Sequence, residues 1–266
     1  MIIYPEKYLV NLISSYIKRH IGNSMSFKKN AEKLMSLYNS RKSSCPEVDY
    51  DRFAFQFLWL FFFANYSKVN LACKQLFTES FPSDINILDL GCGSGASIVG
   101  FVGFLIEYVD ISKIKSIEID LIDYSPTQLR ILKDSSKRYL QKILGNIAKF
   151  KIQCVDVRDF LKTYKNQSRY THIIASNLLC ELPLIERKNI AENIINVLSS
   201  GGFLLVIEQK ETNVLRLLEE FSSWATYESK VSGPHMIEGI EPLHALPINN
   251  LFKKDFELCC GIFKKN

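Results

Sequence analysis

The sequence lacks the features that mark several large classes of protein. Seven of its 266 residues are cysteine, an odd number, and no two of them form a Cys-x-x-Cys pair. This pattern argues against a disulfide framework and against a zinc site. The chain begins Met-Ile-Ile-Tyr-Pro, without the basic region and the apolar stretch of a secretory signal. We therefore expect a cytoplasmic protein without a metal.

Long apolar runs and long runs of one charge are also missing. The most apolar stretch, residues 53–66, is short for a membrane span and is interrupted by Gln56. The net charge of +5 comes from scattered lysines, and the longest basic clusters are pairs. Nucleic-acid-binding proteins usually concentrate positive charge on one face or arm. We expect no membrane partner and regard nucleic acid as a less favoured partner than a small molecule or short peptide.

The most informative segment is residues 87–96, Ile-Leu-Asp-Leu-Gly-Cys-Gly-Ser-Gly-Ala. Apolar residues lead into Asp89, three glycines alternate, and a helix-compatible run follows. A buried strand that turns through glycines into a helix brings free backbone N–H groups close to a ligand. Asp89 would attract an ammonium group on that ligand and would repel a pyrophosphate.

This segment resembles the first motif of the class I S-adenosylmethionine-dependent methyltransferases, an acid followed by x-Gly-x-Gly-x-Gly. Asp89 takes the acid position, and Gly91, Gly93 and Gly95 take the glycine positions. The resemblance implies S-adenosylmethionine as cofactor and S-adenosylhomocysteine as product. Gly91, Gly93 and Ala96 also satisfy the looser dinucleotide fingerprint, so an NAD-dependent oxidoreductase stays open as a remote alternative.

Two further strand ends match the same family. The run 116–123 ends in Asp123, which the resemblance assigns to the ribose hydroxyls, with Tyr124 offering an apolar face to the adenine. The next strand, 150–155, leads into Asp156 and Val157. The resemblance implies that the Asp156 carboxylate accepts the adenine amino group and that the Val157 backbone N–H meets a ring nitrogen.

The fourth predicted strand, 170–176, runs into Asn177 and Leu178. Ligands of open parallel sheets lie outside the carboxyl ends of the strands, so both residues should face the cofactor. Asn177 is the candidate catalytic residue, a polar group beside the transferring methyl. A turn residue that caps its own helix would give the same pattern.

Alternation of strands and helices predicts an α/β fold, a Rossmann-like three-layer sandwich of a seven-stranded mostly parallel sheet with an N-terminal helical lid. We assign residues 1–85 to the lid, which would select the substrate, and residues 86–266 to the cofactor-binding core. The remaining predicted core elements are a helix at 97–109, a helix at 185–198, a turn at 199–202, a strand at 203–208, a helix at 214–221 and edge strands at 224–231 and 256–263.

Apolar residues at helical spacing predict two helices within the first 40 residues and a third over 50–77 with a break near Asn65. Tyr8, Tyr16 and Tyr38 are the candidate substrate contacts from this segment. An ordinary core-facing helical layer would show the same stripes.

None of the four histidines has a spacing that pairs it with a carboxylate, which favours an amine acceptor needing little help from a base. The short helical segment before a compact core is similar to the plantazolicin-type peptide N-methyltransferases. That resemblance implies an arginine-starting azole peptide, with Asp156, Asp159 and Glu181 as partners of its cationic end. The runs 61–69 and 176–182 resemble methyltransferase-like factors of small ribosomal subunit assembly, which gives an RNA-binding alternative.

Overall fold

The computed structural model describes residues 5–21, 25–39, 48–77, 81–164, 167–209, 231–232 and 258–265. The predicted helix at 214–221 lies outside these residues, as do His235 and His244. The side chain of Tyr38 is also outside the described part.

One sheet organises the chain, with strand order β3-β2-β1-β4-β5-β7-β6. Its strands are β1 (Asp84–Leu90), β2 (Ser116–Asp123), β3 (Ala148–Cys154), β4 (Tyr170–Ser176), β5 (Leu198–Gln209), β6 (Val231–Ser232) and β7 (Leu258–Lys265). Strands β1 to β5 are parallel, whereas β7 runs antiparallel to β5 and to the two-residue β6. The Rossmann-like parallel sheet is therefore confirmed. The predicted edge strand at 224–231 lies outside the described residues except for Val231, and the predicted edge strand at 256–263 is described only from Leu258 onward.

Eight α-helices accompany the sheet within the described ranges. They are α1 (Pro5–Ile21), α2 (Met25–Asn39), α3 (Ala54–Leu76), α4 (Ala96–Tyr108), α5 (Pro126–Asp134), α6 (Ser136–Leu144), α7 (Val157–Thr163) and α8 (Leu184–Val197). None of the described helices is both long enough and apolar enough to cross a membrane.

Helices cover both faces of the parallel strands. Ile87 belongs to a core cluster with residues of α1, α3, α4, α5 and α6, whereas its neighbour Leu88 belongs to a second cluster with residues of α7 and α8. Successive side chains of a strand point to opposite faces, so β1 separates two apolar layers. Strands buried on both sides explain the continuous apolar runs in the sequence.

Helix α3 packs directly on α4, where glycines allow close approach. A Cβ at Gly100 would lie 2.5 Å from the carbonyl oxygen of Tyr66, and the Asn70 Nδ2 donates to the Gly100 carbonyl at 3.2 Å. Helix α1 packs against α6 and α3. The N-terminal helices thus share one hydrophobic cluster with the sheet, as the alternative of a core-facing layer predicts.

Two predicted interruptions are absent from the structure. Helix α3 continues through Asn65 without a break. The predicted turn at 199–202 is part of β5, whose pairing with β4 shifts register between Tyr170 and His172. Gly201 adopts φ +73° within this stretch, so the glycines that suggested a turn instead accommodate an irregular strand.

Candidate functional site

The glycine loop connects β1 to α4 at the carboxyl edge of the sheet. Gly91, Gly93 and Gly95 have φ angles of +66°, +50° and +90°, a left-handed conformation that only glycine adopts without strain. A Cβ at Gly91 would lie 3.1 Å from the Leu178 side chain, and one at Gly95 would lie 2.9 Å from Ser136. The backbone conformation therefore requires glycine at all three positions, and close packing requires it at Gly91 and Gly95 as well.

Asp89 lies near the end of β1, and its side chain reaches the first turn of α4. Its side chain is fully buried, and its Oδ2 accepts a 2.5 Å hydrogen bond from the Ser97 hydroxyl. Its Oδ1 meets no donor among the residues that the structure describes. Burial raises the pKa of the Asp89 carboxyl to about 7, although the Ser97 hydroxyl and the Ile98 backbone oppose this shift. The acid of the motif is thus poised to titrate near neutral pH.

Asp123 ties the end of β2 to the glycine loop. Its Oδ2 accepts the Gly93 N–H at 2.8 Å, and its Oδ1 accepts the Ser125 N–H at 2.8 Å. Burial raises the pKa of Asp123, and the two backbone donors oppose the shift. Each carboxylate oxygen retains one lone pair for a ligand hydroxyl. Tyr124 follows with its side chain about half exposed (54%), so its ring is available to a planar ligand.

Asp156 also has a structural role at the start of α7. It is the N-cap of α7, and its Oδ1 accepts the Arg158 N–H at 2.8 Å. The Arg158 guanidinium also contacts both carboxylate oxygens at 2.7 Å, and Glu186 at 3.0 Å. The Arg158 hydrogen bonds hold the pKa of Asp156 below its usual value. A ligand amino group would have to share this carboxylate with Arg158.

Val157 and Asp159 belong to the first turn of α7. The Val157 side chain is buried in the second core cluster. Asp159 is exposed and pairs with Lys162 at 3.3 Å. Asp159 and Lys162 line an open pocket between α7 and α8, together with Asp156 and Glu186. Its role as a substrate contact stays a prediction.

Asn177 lies directly after β4 with φ +53°, the one non-glycine residue with positive φ in the described part of the chain. Its backbone N–H donates to the Ile207 carbonyl at 2.8 Å, which holds this conformation against β5. Its Nδ2 lies 3.4 Å from the Asn65 Oδ1 of α3 and 3.3 Å from the Ser176 hydroxyl. Strained backbone of this kind concentrates at functional sites. Leu178 packs on Gly91, so the loop after β4 borders the glycine loop.

Tyr8 and Tyr16, two of the three tyrosines predicted as substrate contacts, lie in packed positions. Tyr8 stacks on Tyr139 with ring centroids 6.0 Å apart, and the Lys142 ammonium sits 3.9 Å from the Tyr8 ring centre. Tyr16 is 3% exposed and belongs to the main core cluster. Their roles as substrate contacts stay predictions.

A different N-terminal segment reaches the carboxyl edge, namely residues 48–53 before α3. The Asp51 Oδ1 accepts the Ser125 hydroxyl at 2.7 Å and the Thr127 N–H at 2.9 Å. The Tyr50 hydroxyl donates to the Glu181 carboxylate. The Tyr50 ring also meets the ring of Tyr124 edge-on, with centroids 6.0 Å apart. Sequence reasoning missed Tyr50 and Asp51, because no motif marks them.

The structure defines the surroundings of two histidines. His172 is buried on β4 in contact with phenylalanine rings, and the Phe81 ring stacks on it at 5.0 Å. Burial lowers the pKa of His172 to about 3, so this residue is neutral at physiological pH. His20 stacks on Tyr16 at 4.2 Å. The described residues also contain no cluster of three His, Cys, Asp or Glu side chains that could hold a metal ion.

No protein-family model matches the chain, and no curated protein does. Solved structures do. The small RNA methyltransferase HEN1 aligns at 16% identity with a TM-score of 0.50, covering 75% of this chain and 25% of that one. A S-adenosylmethionine-dependent methyltransferase of Methanosarcina mazei aligns at 15% identity, covering 70% and 94%, with a TM-score of 0.46. The [4+2]-cyclase SpnF aligns at 16% identity, covering 74% and 80%, with a TM-score of 0.46.

The chain has the fold of the class I S-adenosylmethionine-dependent methyltransferases. Identities of this size establish the fold alone, and one fold hosts many chemistries. The reaction has to be argued from the site.

Proposed function

We propose that the protein is a methyltransferase that binds S-adenosylmethionine at the carboxyl edge of its sheet and transfers the methyl group to an amine. The observation that carries the proposal is the glycine loop itself. Three left-handed glycines lie between β1 and α4, and the Gly93 N–H is held by the Asp123 carboxylate. This arrangement brings backbone amides and an acid of the neighbouring strand to one ligand position.

The residues present fit this cofactor. The glycine loop leaves room for a ligand at Gly93, where a Cβ would have only the Gln128 side chain within 4.0 Å. Asp123 can accept the ribose hydroxyls with its remaining lone pairs. Tyr124 presents an exposed ring face to the adenine. The buried Asp89 supplies a negative charge for the ammonium group, and Asn177 and Leu178 border the methyl-bearing end.

When bound, the cofactor supplies a methyl group on a positively charged sulfur, which a lone pair can displace. The protein then has to hold the acceptor in line with that methyl and to exclude water, which can contribute several kcal/mol to the rate. Asn177, fixed by Ile207 and Asn65, is the group placed to orient the acceptor. An α-amino group titrates near pH ~8, so part of it is neutral without a base.

The charges around the edge support a cationic acceptor. Glu181, Asp123, Asp51 and Asp156 all raise the pKa of Tyr124, after its burial, because they place negative charge near its hydroxyl. A peptide that carries an arginine beside its terminal amine would be attracted to this region. We therefore favour a small molecule or short peptide, including an arginine-starting azole peptide, over RNA. The helices α1 to α3 form the segment that we expect to select it.

Radiolabelled methyl transfer tests this proposal. The acceptor panel contains arginine-starting azole peptides, the same peptides with an acetylated amine, and small ribosomal subunit RNA. We expect label on the free amine and none on the acetylated form, and Asn177→Ala should lower turnover more than cofactor affinity. Transfer to RNA alone would overturn the choice of acceptor.

A further inference from the structure

A chain of hydrogen bonds runs from the N-terminal segment to the glycine loop. The Ser125 hydroxyl donates to the Asp51 Oδ1 at 2.7 Å, and the Ser125 N–H donates to the Asp123 Oδ1 at 2.8 Å. The Gly93 N–H then donates to the Asp123 Oδ2 at 2.8 Å. Four residues from three separate parts of the sequence are thus linked directly.

Ser125 connects the two ends of this series of hydrogen bonds, and its hydroxyl is not in contact with solvent. Its side chain is fully buried, and its oxygen also accepts the Gln128 N–H at 3.2 Å as the N-cap of α5. A hydroxyl has one proton to donate, and Asp51 receives it. Without Asp51, that buried proton would lose its acceptor, and the turn would have to rearrange to find another.

The Asp51 carboxylate holds the same turn at a second point. It accepts the Thr127 N–H at 2.9 Å, so it satisfies a free donor at the start of α5 from outside the helix. The neighbouring Tyr50 contacts Glu181, which follows β4. Since β1 lies between β2 and β4, these two consecutive residues reach the two strand ends that flank the glycine loop.

We propose that Asp51 is a positioning residue of the cofactor site, which orients the Asp123 carboxylate through Ser125. This inference rests on the proposed function, because it assigns Asp123 to the ribose of S-adenosylmethionine. It implies that Asp51 is part of the cofactor site, although it precedes the glycine loop by about 40 positions.

The test measures how well the protein distinguishes S-adenosylhomocysteine from its 2′,3′-dideoxy analogue (the deoxy analogue), which lacks both ribose hydroxyls. In Asp51→Ala we expect the affinity for S-adenosylhomocysteine to fall about fivefold, the effect of one hydrogen bond, and the affinity for the deoxy analogue to change by less than about twofold. Asp51→Asn keeps the oxygen that accepts from Ser125 and Thr127, so it should restore the discrimination. Should Asp51→Ala fold poorly in urea unfolding, Asp51→Ser replaces it with the same expectation.

Asp49→Ala is the matched control. Asp49 lies in the same turn, and its carboxylate accepts the local Arg52 N–H at 2.9 Å. Its replacement should leave both affinities unchanged. An equal loss for both ligands in Asp51→Ala, or no loss, overturns the inference. If the wild type itself binds no S-adenosylhomocysteine, the proposed function fails, and the inference fails with it.

Discussion

The buried carboxyl of Asp89 should make cofactor binding depend on pH near neutrality. Burial raises the pKa of this group to about 7. One pH unit below that value the carboxyl is charged in about one molecule in eleven, and one unit above it in about ten in eleven. If only the charged form attracts the ammonium of the ligand, the affinity should rise about tenfold from pH 6 to pH 8, or about 1.4 kcal/mol.

Calorimetry with S-adenosylhomocysteine at pH 6, 7 and 8 measures this effect. A ligand without the amino-acid part, 5′-methylthioadenosine, should bind with the same affinity throughout. Asp89→Asn keeps the shape of the side chain without its charge, so at pH 8 it should bind S-adenosylhomocysteine more than about tenfold more weakly than the wild type does at the same pH. Because charged Asp89 is favoured by the ligand, binding at pH 7 should also release protons.

Two results would refute this reasoning. Equal affinity for S-adenosylhomocysteine at pH 6 and pH 8 would mean that the carboxyl does not titrate in this range or that its charge does not reach the ligand. A pH dependence that persists in Asp89→Asn would assign the effect to another group.

Further predictions concern the fold and the site. The pKa of His172 is about 3 in the folded protein, against an ordinary value of 6.5, so the unfolded chain binds the extra proton and stability falls as pH drops below 6.5. At pH 5 the free energy of unfolding should be lower by about 2 kcal/mol, and His172→Phe should abolish this part of the pH dependence measured by urea unfolding. The same pH dependence in the variant and the wild type would contradict the prediction. Gly100→Ala should lower the free energy of unfolding by about 1–3 kcal/mol, because its Cβ would overlap the Tyr66 carbonyl oxygen; unchanged stability would show that α3 and α4 separate easily. Asp123→Ala should weaken S-adenosylhomocysteine binding by about 1.5–3 kcal/mol in calorimetry. The Asp120 carboxylate accepts the Tyr170 hydroxyl at 2.6 Å, so Asp120→Ala should lower stability and leave binding unchanged. A larger loss of binding in Asp120→Ala than in Asp123→Ala would show that Asp123 does not hold the ribose.

Local patterns account for most of what the sequence predicts about the fold. The strands 116–123 and 170–176 have the predicted bounds, because a continuous apolar run with defined ends is itself the signature of a strand buried on both faces. The glycine loop could also be predicted from the sequence, because glycine is the residue that adopts a left-handed backbone conformation without strain.

Contacts between distant parts of the chain could not be predicted in this way. Asp51 meets Ser125 across 74 positions, and Asn65 meets Asn177 across 112. Neither Asp51 nor Asn65 belongs to a motif, and both lie in an apolar helical segment or beside it. The ion pair between Asp156 and Arg158 is local and can be expected from the sequence. That the Arg158 guanidinium contacts both carboxylate oxygens of Asp156 is seen only in the structure.

Calorimetric titration of the protein with S-adenosylhomocysteine and, separately, with NADH tests the central claim most directly. The account predicts micromolar binding of S-adenosylhomocysteine and far weaker binding of NADH, because Asp89 and Asp123 favour an ammonium and a ribose and disfavour a pyrophosphate. Tight binding of NADH without any response to S-adenosylhomocysteine would contradict it.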